Sequence, residues 1–235
     1  MKIADHKFCH AAFSTYSERL KELVSDYPNA EILELGGGRR PSFRLSEMPG
    51  NIATYTVNDI SSSELALAPP EYDKACFDVT GDVSAFAGKY NVIFSRRLAE
   101  HVRDGRKMHR NILTLLRPGG VAFHMMPTLY SAPFVINKLV PETLSRKILF
   151  AFFPKRRTDD SKFPAYYSCC YGNRGKMERM LRGVGFSDVQ IRTFYGTGYF
   201  EAVPGIRQLE GSLSALAAKN DWSWNGSFAH VLTRK

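Results

Sequence analysis

Three consecutive glycines, Gly36, Gly37 and Gly38, stop the apolar run AEILEL that begins at Ala30 and carries Glu34. Such a run reads as a buried parallel strand. A strand that ends on three glycines ends where something must lie against bare backbone, because glycine supplies both the turn and the missing Cβ. About twenty residues past Gly38, the stretch TYTVNDI ends a second apolar strand on Asp59, the spacing at which a βαβ nucleotide site presents an acid to a ribose. A glycine turn that is only a tight loop, with Asp59 a turn aspartate in NDISSS, is the bland alternative.

Later segments continue the alternation of strand and helix. YNVIF, residues 90–94, is an apolar strand, and in SRRLAEHVRDGRKMHRNILTLL the residues Leu98, Val102, Met108, Ile112, Leu115 and Leu116 recur at roughly helical spacing. RPGG, residues 117–120, halts that helix before the strand VAFHMM. Phe8, Ala12, Tyr16, Leu20 and Leu23 would line one face of a leading helix over residues 8–24. Residues 39–48 are expected to hold the turn and first helix after strand one, 54–58 strand two and 74–77 strand three, ending on Asp78. A helix over 172–183, a sixth strand in GFSDVQIRTFYG and a last strand in FAHVLTRK complete the pattern.

The order ELGGG, acid after the second strand, NVIFSRRLAEHV, then LLRPGG before a fifth strand resembles the class I S-adenosylmethionine-dependent methyltransferases, in particular the group with a small-molecule or glycan-type methyltransferase domain. The resemblance covers about residues 30–128 and implies an α/β fold. The expected architecture is a Rossmann-like, seven-stranded, mostly parallel sheet with helices on both faces and an insertion after strand five. Residues 1–235 then form one domain with an N-terminal helical segment over 1–29 and a substrate-capping insertion over 129–167. One position departs from the family's glycine pattern: Arg40 stands where a third spaced glycine is usual, and Pro41 follows it.

The resemblance implies S-adenosyl-L-methionine as cofactor. Methyl transfer from a sulfonium is an in-line displacement, so the protein's main task is to align donor and acceptor and exclude water. Glu34, Gly36, Gly37 and Gly38 are the expected cofactor residues at the first turn, the glycines allowing close approach of the methionine end. Asp59 would accept both ribose hydroxyls, with Ile60 beside it. Asp78 and Val79 match the place where the family holds adenine, with Asp82 as a rival acid. Ser95 lies where the family flanks the donor methyl, and its alternative is a helix N-cap. Among acids and bases, Glu100 and His101 stand side by side near that point, and His101 is the candidate catalytic base; a histidine bonded to backbone is the competing reading. Arg39 or Arg40 could pair with the donor's carboxylate or be a solvated surface group.

The expected reaction is O-methylation of a small-molecule or glycan-type acceptor, an anionic one included. No Asn/Asp-Pro-Pro-aromatic or Pro-Cys motif follows strand four, so nucleobase chemistry is not encouraged. Within the insertion, Tyr130, Phe134, Phe163, Tyr166 and Tyr167 could stack on a ring, and Lys155, Arg156 and Arg157 could meet phosphate. Cys9, Cys76, Cys169 and Cys170 form no CxxC pair, so no metal is expected. The net charge of +9 implies attraction to something anionic and leaves peripheral membrane contact open, while no RRM or KH motif supports nucleic acid. A cytoplasmic location is expected from MKIADHKFCH, which lacks a signal peptide's apolar core. The other classes considered are a donor-binding interaction module without turnover, an RNA-directed methyltransferase using the basic surface, and an NAD-dependent dehydrogenase, to which LLRPGG and AEHV are foreign.

Overall fold

In the computed structural model, residues 7–129, 164–197 and 204–235 are described. Helix α1 (Cys9–Ser25) leads into strand β1 (Ala30–Leu35), followed by β2 (Ile52–Asp59), a short helix α2 (Ser62–Ala66), β3 (Asp73–Cys76) and β4 (Tyr90–Arg96). Helix α3 (Gly105–Leu115), β5 (Leu116–Pro127), helix α4 (Arg174–Val184), β6 (Asp188–Phe194), helix α5 (Pro204–Lys219) and β7 (Phe228–Arg234) follow. The seven strands form one sheet in the order β3-β2-β1-β4-β5-β7-β6. Strand β7 runs antiparallel to both its neighbours, and the other pairings are parallel. This is the mostly parallel, doubly wound sheet expected from the sequence.

Helices cover both faces, as two adjacent residues of β5 establish. The Phe123 ring stacks on Tyr16 of α1 at 4.8 Å between centroids, while the His124 ring meets His109 of α3 at 5.9 Å. Successive side chains of a strand point to opposite faces, so α1 and α3 lie on opposite sides of the sheet. On the α1 side, Tyr16, Phe43, Phe94, Phe123 and His230 form a buried aromatic cluster. The Tyr16 hydroxyl donates to the Ser95 and Phe123 carbonyls at 2.9 and 3.3 Å, which satisfies its one polar atom in the core.

Two expected elements take a different form. Residues 39–48 form no α-helix: the chain runs irregularly and holds only a single 3₁₀ turn, Leu45–Glu47. Pro41 disfavours the α region for Arg40 and supplies no N–H to the second turn, and the Ser42 N–H is taken by the Glu34 carboxylate at 3.0 and 3.1 Å. Likewise, the long helix expected between β4 and β5 is divided into a 3₁₀ turn, Ala99–His101, and α3. Arg97 has φ of 58°, which a helix does not tolerate, and Asp104 caps α3 by accepting from the Lys107 N–H at 2.9 Å. No helix among the described residues is long and apolar enough to cross a membrane.

Burial sets a pH dependence of stability. His109 and His124 on the α3 side and His230 on the other are desolvated, which lowers them from an ordinary 6.5 to about 4, about 3 and about 4. Between those values and 6.5 the unfolded chain binds more protons at these three positions, so their contribution is lost as pH falls. Burial acts oppositely on the carboxyls of Glu34 and Glu100, which are raised from 4.5, Glu100 to about 7. Their contribution is largest at low pH and is lost as pH rises. Three histidines outweigh two carboxyls over the shared window. Unfolding free energy should therefore drop by about 1.4 kcal/mol per pH unit or more on acidification from roughly pH 6.5 to 4.5, as urea titrations at stepped pH would measure; a flat or rising profile would contradict it.

Candidate functional site

β1 and β2 are adjacent and parallel, with Leu35 opposite Asn58, so the glycine turn and Asp59 emerge side by side at the carboxyl edge of the sheet. Gly36 and Gly38 both have positive φ, 73° and 50°, the left-handed region that glycine enters without strain. A Cβ on Gly38 would sit 2.9 Å from Asp59 Oδ2, and one on Gly37 would sit 2.7 Å from Val57 Cγ1 and 3.0 Å from Glu34 Cδ. The carboxylate of Asp59 therefore lies against the bare backbone of Gly38, closer than any side chain at that position would allow. Its other oxygen accepts from the Ser61 N–H at 2.9 Å, which fixes the rotamer. Ile60, next in the chain, is 70% exposed, an apolar surface beside the acid.

Glu34 is buried behind this turn, where Tyr55 Oη and Ser42 Oγ each donate to it at 2.5 Å. Burial raises its carboxyl above the ordinary range, and the hydrogen bonds from Ser42 and Tyr55 hold it back. Both its oxygens are thus engaged in pinning residue 42 to β1 and β2, in place of a first helix. Arg39, considered for a donor carboxylate, pairs bidentately with Glu64 at 2.5 Å, and Arg40 is exposed.

Beyond β3, Asp78 is exposed and Val79 buried. Asp78 Oδ1 accepts from the Thr80 N–H and hydroxyl at 2.7 and 2.8 Å, while Asp82 Oδ1 accepts from the Ser84 N–H at 2.9 Å. Both rival acids therefore stabilise local turns. The loop is held from two sides: Asn58 Nδ2 donates to the carbonyls of Ala75 and Phe77, and Asn111 Nδ2 donates to those of Val79 and Gly81. Asp78 is the nearer of the two to the edge where Asp59 lies, because the Phe77 N–H donates to the Asp59 carbonyl at 3.3 Å.

At the end of β4, Ser95 is not a helix cap. It lies within the strand, buried, with Oγ 2.8 Å from His124 Nδ1. Arg97 follows with its positive φ, a backbone state of the kind that gathers at functional sites. Leu98 then folds over the glycine turn: a Cβ on Gly36 would approach Leu98 Cδ1 to 2.8 Å. The 3₁₀ turn after it carries Glu100 and His101, so this pair stands beside the turn of β1.

His101 Nδ1 lies 2.9 Å from the carbonyl oxygen of Pro164, which can only accept, so Nδ1 carries the hydrogen and Nε2 is the basic nitrogen of the neutral ring. Nε2 is 3.8 Å from Glu100 Oε1. Glu100 is buried, burial pushes its carboxyl up to about 7, and its Oε2 has no hydrogen-bond partner. The Glu100 carbonyl accepts from the N–H groups of Tyr166 and Tyr167 at 2.7 and 3.0 Å, and the Arg103 guanidinium donates to Tyr166 Oη at 2.9 Å. The chain thus returns from the expected insertion directly onto the Glu100–His101 turn. Tyr130, Phe134, Phe163, Lys155, Arg156 and Arg157 lie outside the described residues.

Sequence reasoning missed four contributors: Tyr55 and Ser42, the partners of Glu34; Leu98, the cover of Gly36; and His124, the partner of Ser95. An acid inside an otherwise apolar strand signals that buried donors must exist. Nothing in the sequence says which ones.

The family model of a methyltransferase domain matches residues 8–191. Among solved structures, an S-adenosylmethionine-dependent methyltransferase from Mesorhizobium loti superposes with a TM-score of 0.59 at 16% identity, covering 95% of this chain and 98% of that one. Phosphoethanolamine N-methyltransferase 2 from Haemonchus contortus gives 0.58 at 16% identity over 95% of this chain and 52% of its own. The CurJ carbon methyltransferase gives 0.58 at 16% identity over 97% and 56%. A curated relative, the hybrid PKS-NRPS synthetase apdA of Emericella nidulans, is 28% identical over 116 residues, 44% of this chain, and the match spans 3% of that protein's length. With residues 8–191, most of the chain, matched by the family model and the sheet order above, the chain belongs to the methyltransferase-domain family, in its class I S-adenosylmethionine-dependent architecture.

Proposed function

We propose that this methyltransferase O-methylates a small-molecule or glycan-type acceptor bearing negative charge, with His101 as the base. The observation that carries the reading is the Asp59 carboxylate held against the side-chain-free turn at Gly38 on the carboxyl edge of the sheet, with the Nε2 of His101 on the neighbouring turn. S-adenosylmethionine, when bound, supplies an electrophilic methyl group on a sulfonium. The residues present fit it: Gly36, Gly37 and Gly38 form a turn with no side chains of its own, packed by Leu98, Val57 and Glu34, and the Asp59 carboxylate beside it can accept from two ribose hydroxyls. Ile60 offers an apolar surface to the adenine, and Asp78 and Val79 follow directly on Phe77, whose N–H donates to the Asp59 carbonyl. Glu34 acts one step back, holding the turn in shape.

His101 takes the acceptor's hydroxyl proton at Nε2 as the oxygen becomes nucleophilic, and the Glu100 carboxylate beside it stabilises the resulting imidazolium. Ser95, enclosed by β5 and Tyr16, fixes the end of β4 rather than meeting the donor through its hydroxyl.

Donor use is tested by thermal unfolding with S-adenosylhomocysteine and with NAD. At a concentration about 100 times Kd, a true ligand stabilises by about 2.7 kcal/mol, expected for the former and absent for the latter. The acceptor class is tested with the triple variant Lys155→Ala, Arg156→Ala, Arg157→Ala. It should raise KM for an anionic acceptor several-fold and leave donor affinity unchanged; unaltered acceptor kinetics would remove the anionic part of the reading. Methyl incorporation onto nitrogen or carbon, read by mass spectrometry of the product, would overturn the assignment to oxygen.

A further inference from the structure

Helix α5 turns large apolar side chains outward. Leu209, Leu213 and Leu216 are 61%, 50% and 45% exposed, and their spacing of four and three residues places them in one stripe along the helix. A different face of α5, carrying Ala217 and Ala218, is buried against Tyr195 with Phe8 packed beside it, so the stripe is not the side that holds the helix to the fold. Just past its end, Trp222 and Trp224 are 39% and 52% exposed and stack with ring centroids 6.0 Å apart. Grouped exposed apolar side chains of this size mark a surface that something covers.

The charges around the stripe select what covers it. Both acids of this stretch are engaged within the protein. Glu210 Oε1 accepts from the Thr197 N–H and hydroxyl at 2.9 and 2.5 Å, and Asp221 pairs with Arg174 and accepts from Tyr195 Oη at 3.3 Å. Arg207 and Lys219 are exposed, in a chain whose net charge is +9. A second copy brings the same positive charge and is repelled, whereas an anionic surface is attracted. Leucines along one stripe, Lys219 beside it in the last turn and tryptophans at the helix end match a helix lying in the plane of a bilayer interface.

We propose that α5 and the Trp222–Trp224 turn dock this protein on an anionic lipid surface, with the leucines at the acyl boundary and Lys219 against headgroups. The turn is tied to the carboxyl end of β5, since the Thr128 N–H donates to the Ser227 carbonyl at 2.9 Å and its hydroxyl to the Gly226 carbonyl at 2.5 Å. Docking there brings the carboxyl edge of the sheet close to the lipid. This inference is independent of the acceptor assigned above.

Trp222 and Trp224 are the only two tryptophans of the chain, so intrinsic fluorescence of the full protein reads this turn alone. Vesicles of phosphatidylcholine and phosphatidylglycerol in equal parts should shift the emission to the blue, brominated lipid should quench it, and added salt should reverse both. Vesicles of phosphatidylcholine alone should do neither. The variant Leu209→Ser with Leu213→Ser should lose vesicle affinity by about tenfold or more, with its melting temperature and its stabilisation by S-adenosylhomocysteine unchanged. No emission change or quenching with anionic vesicles, equal binding to neutral ones, or a blue shift that follows protein concentration without lipid and accompanies a doubled mass would each overturn the proposal. The quenching measurement needs only the unaltered chain, so it decides even if the variant fails to fold.

Discussion

Asp59→Ala should weaken S-adenosylhomocysteine binding by roughly 1.5–3 kcal/mol, about 10- to 150-fold in Kd, the scale of hydrogen bonds to a charged group. The physical basis is the disposition of its two oxygens. Oδ1 is held by the Ser61 N–H, and Oδ2 lies against Gly38, where a Cβ would come within 2.9 Å of it. A ribose seated there presents two donors to a carboxylate, and alanine leaves both unmet. Loss of the Oδ1 bond alone affects only the turn into α2, so the melting temperature should change little while affinity falls. Asp59→Asn separates charge from shape: one amide oxygen remains an acceptor, and an intermediate Kd is expected. Titration calorimetry on the three proteins reads the series directly. Equal affinities would take Asp59 out of the site.

His101→Ala should lower kcat about 10²- to 10⁴-fold, the usual contribution of a positioned base, with donor affinity preserved. The competing reading is that His101 merely bonds the carbonyl of Pro164 and so ties down the segment after the insertion. His101→Asn distinguishes the two. An asparagine amide can reproduce the Nδ1–H donor to Pro164 but cannot take up a proton, so kcat should stay as low as in the alanine variant. Restored turnover in His101→Asn would make the histidine a positioning residue. Glu100→Gln should lower kcat less than His101→Ala does, because the carboxylate acts through the imidazolium rather than on the acceptor.

The sheet, its strands and the glycine turn were legible because they follow from local pattern: buried parallel strands are apolar runs, and three glycines announce a turn of unusual backbone. What failed was decided by single residues whose effect is tertiary. Pro41 and the Ser42–Glu34 bond abolish a helix that the family resemblance implies over residues 39–48. Arg97 and Asp104 divide a run whose apolar spacing alone reads as one helix. Helix α5 was not anticipated, although Pro204 at its first position and leucines spaced four and three apart were there to be read; its outward-facing stripe contributes little to the core pattern that sequence reading looks for. At the site, the adjacency of the glycine turn and Asp59 was legible, because both lie at the ends of neighbouring parallel strands. The partners of Glu34 and Ser95 were not, because a buried polar side chain's partner is chosen by packing across the sheet, not by neighbours in sequence.

The most direct test is a crystal structure of the protein with S-adenosylhomocysteine. The ribose hydroxyls should lie within hydrogen-bond distance of the Asp59 carboxylate and the amino-acid end over the backbone of Gly36, Gly37 and Gly38, with Ile60 against the adenine. A nucleoside bound elsewhere, or one seated there with the Asp59 carboxylate turned to solvent, would contradict the account.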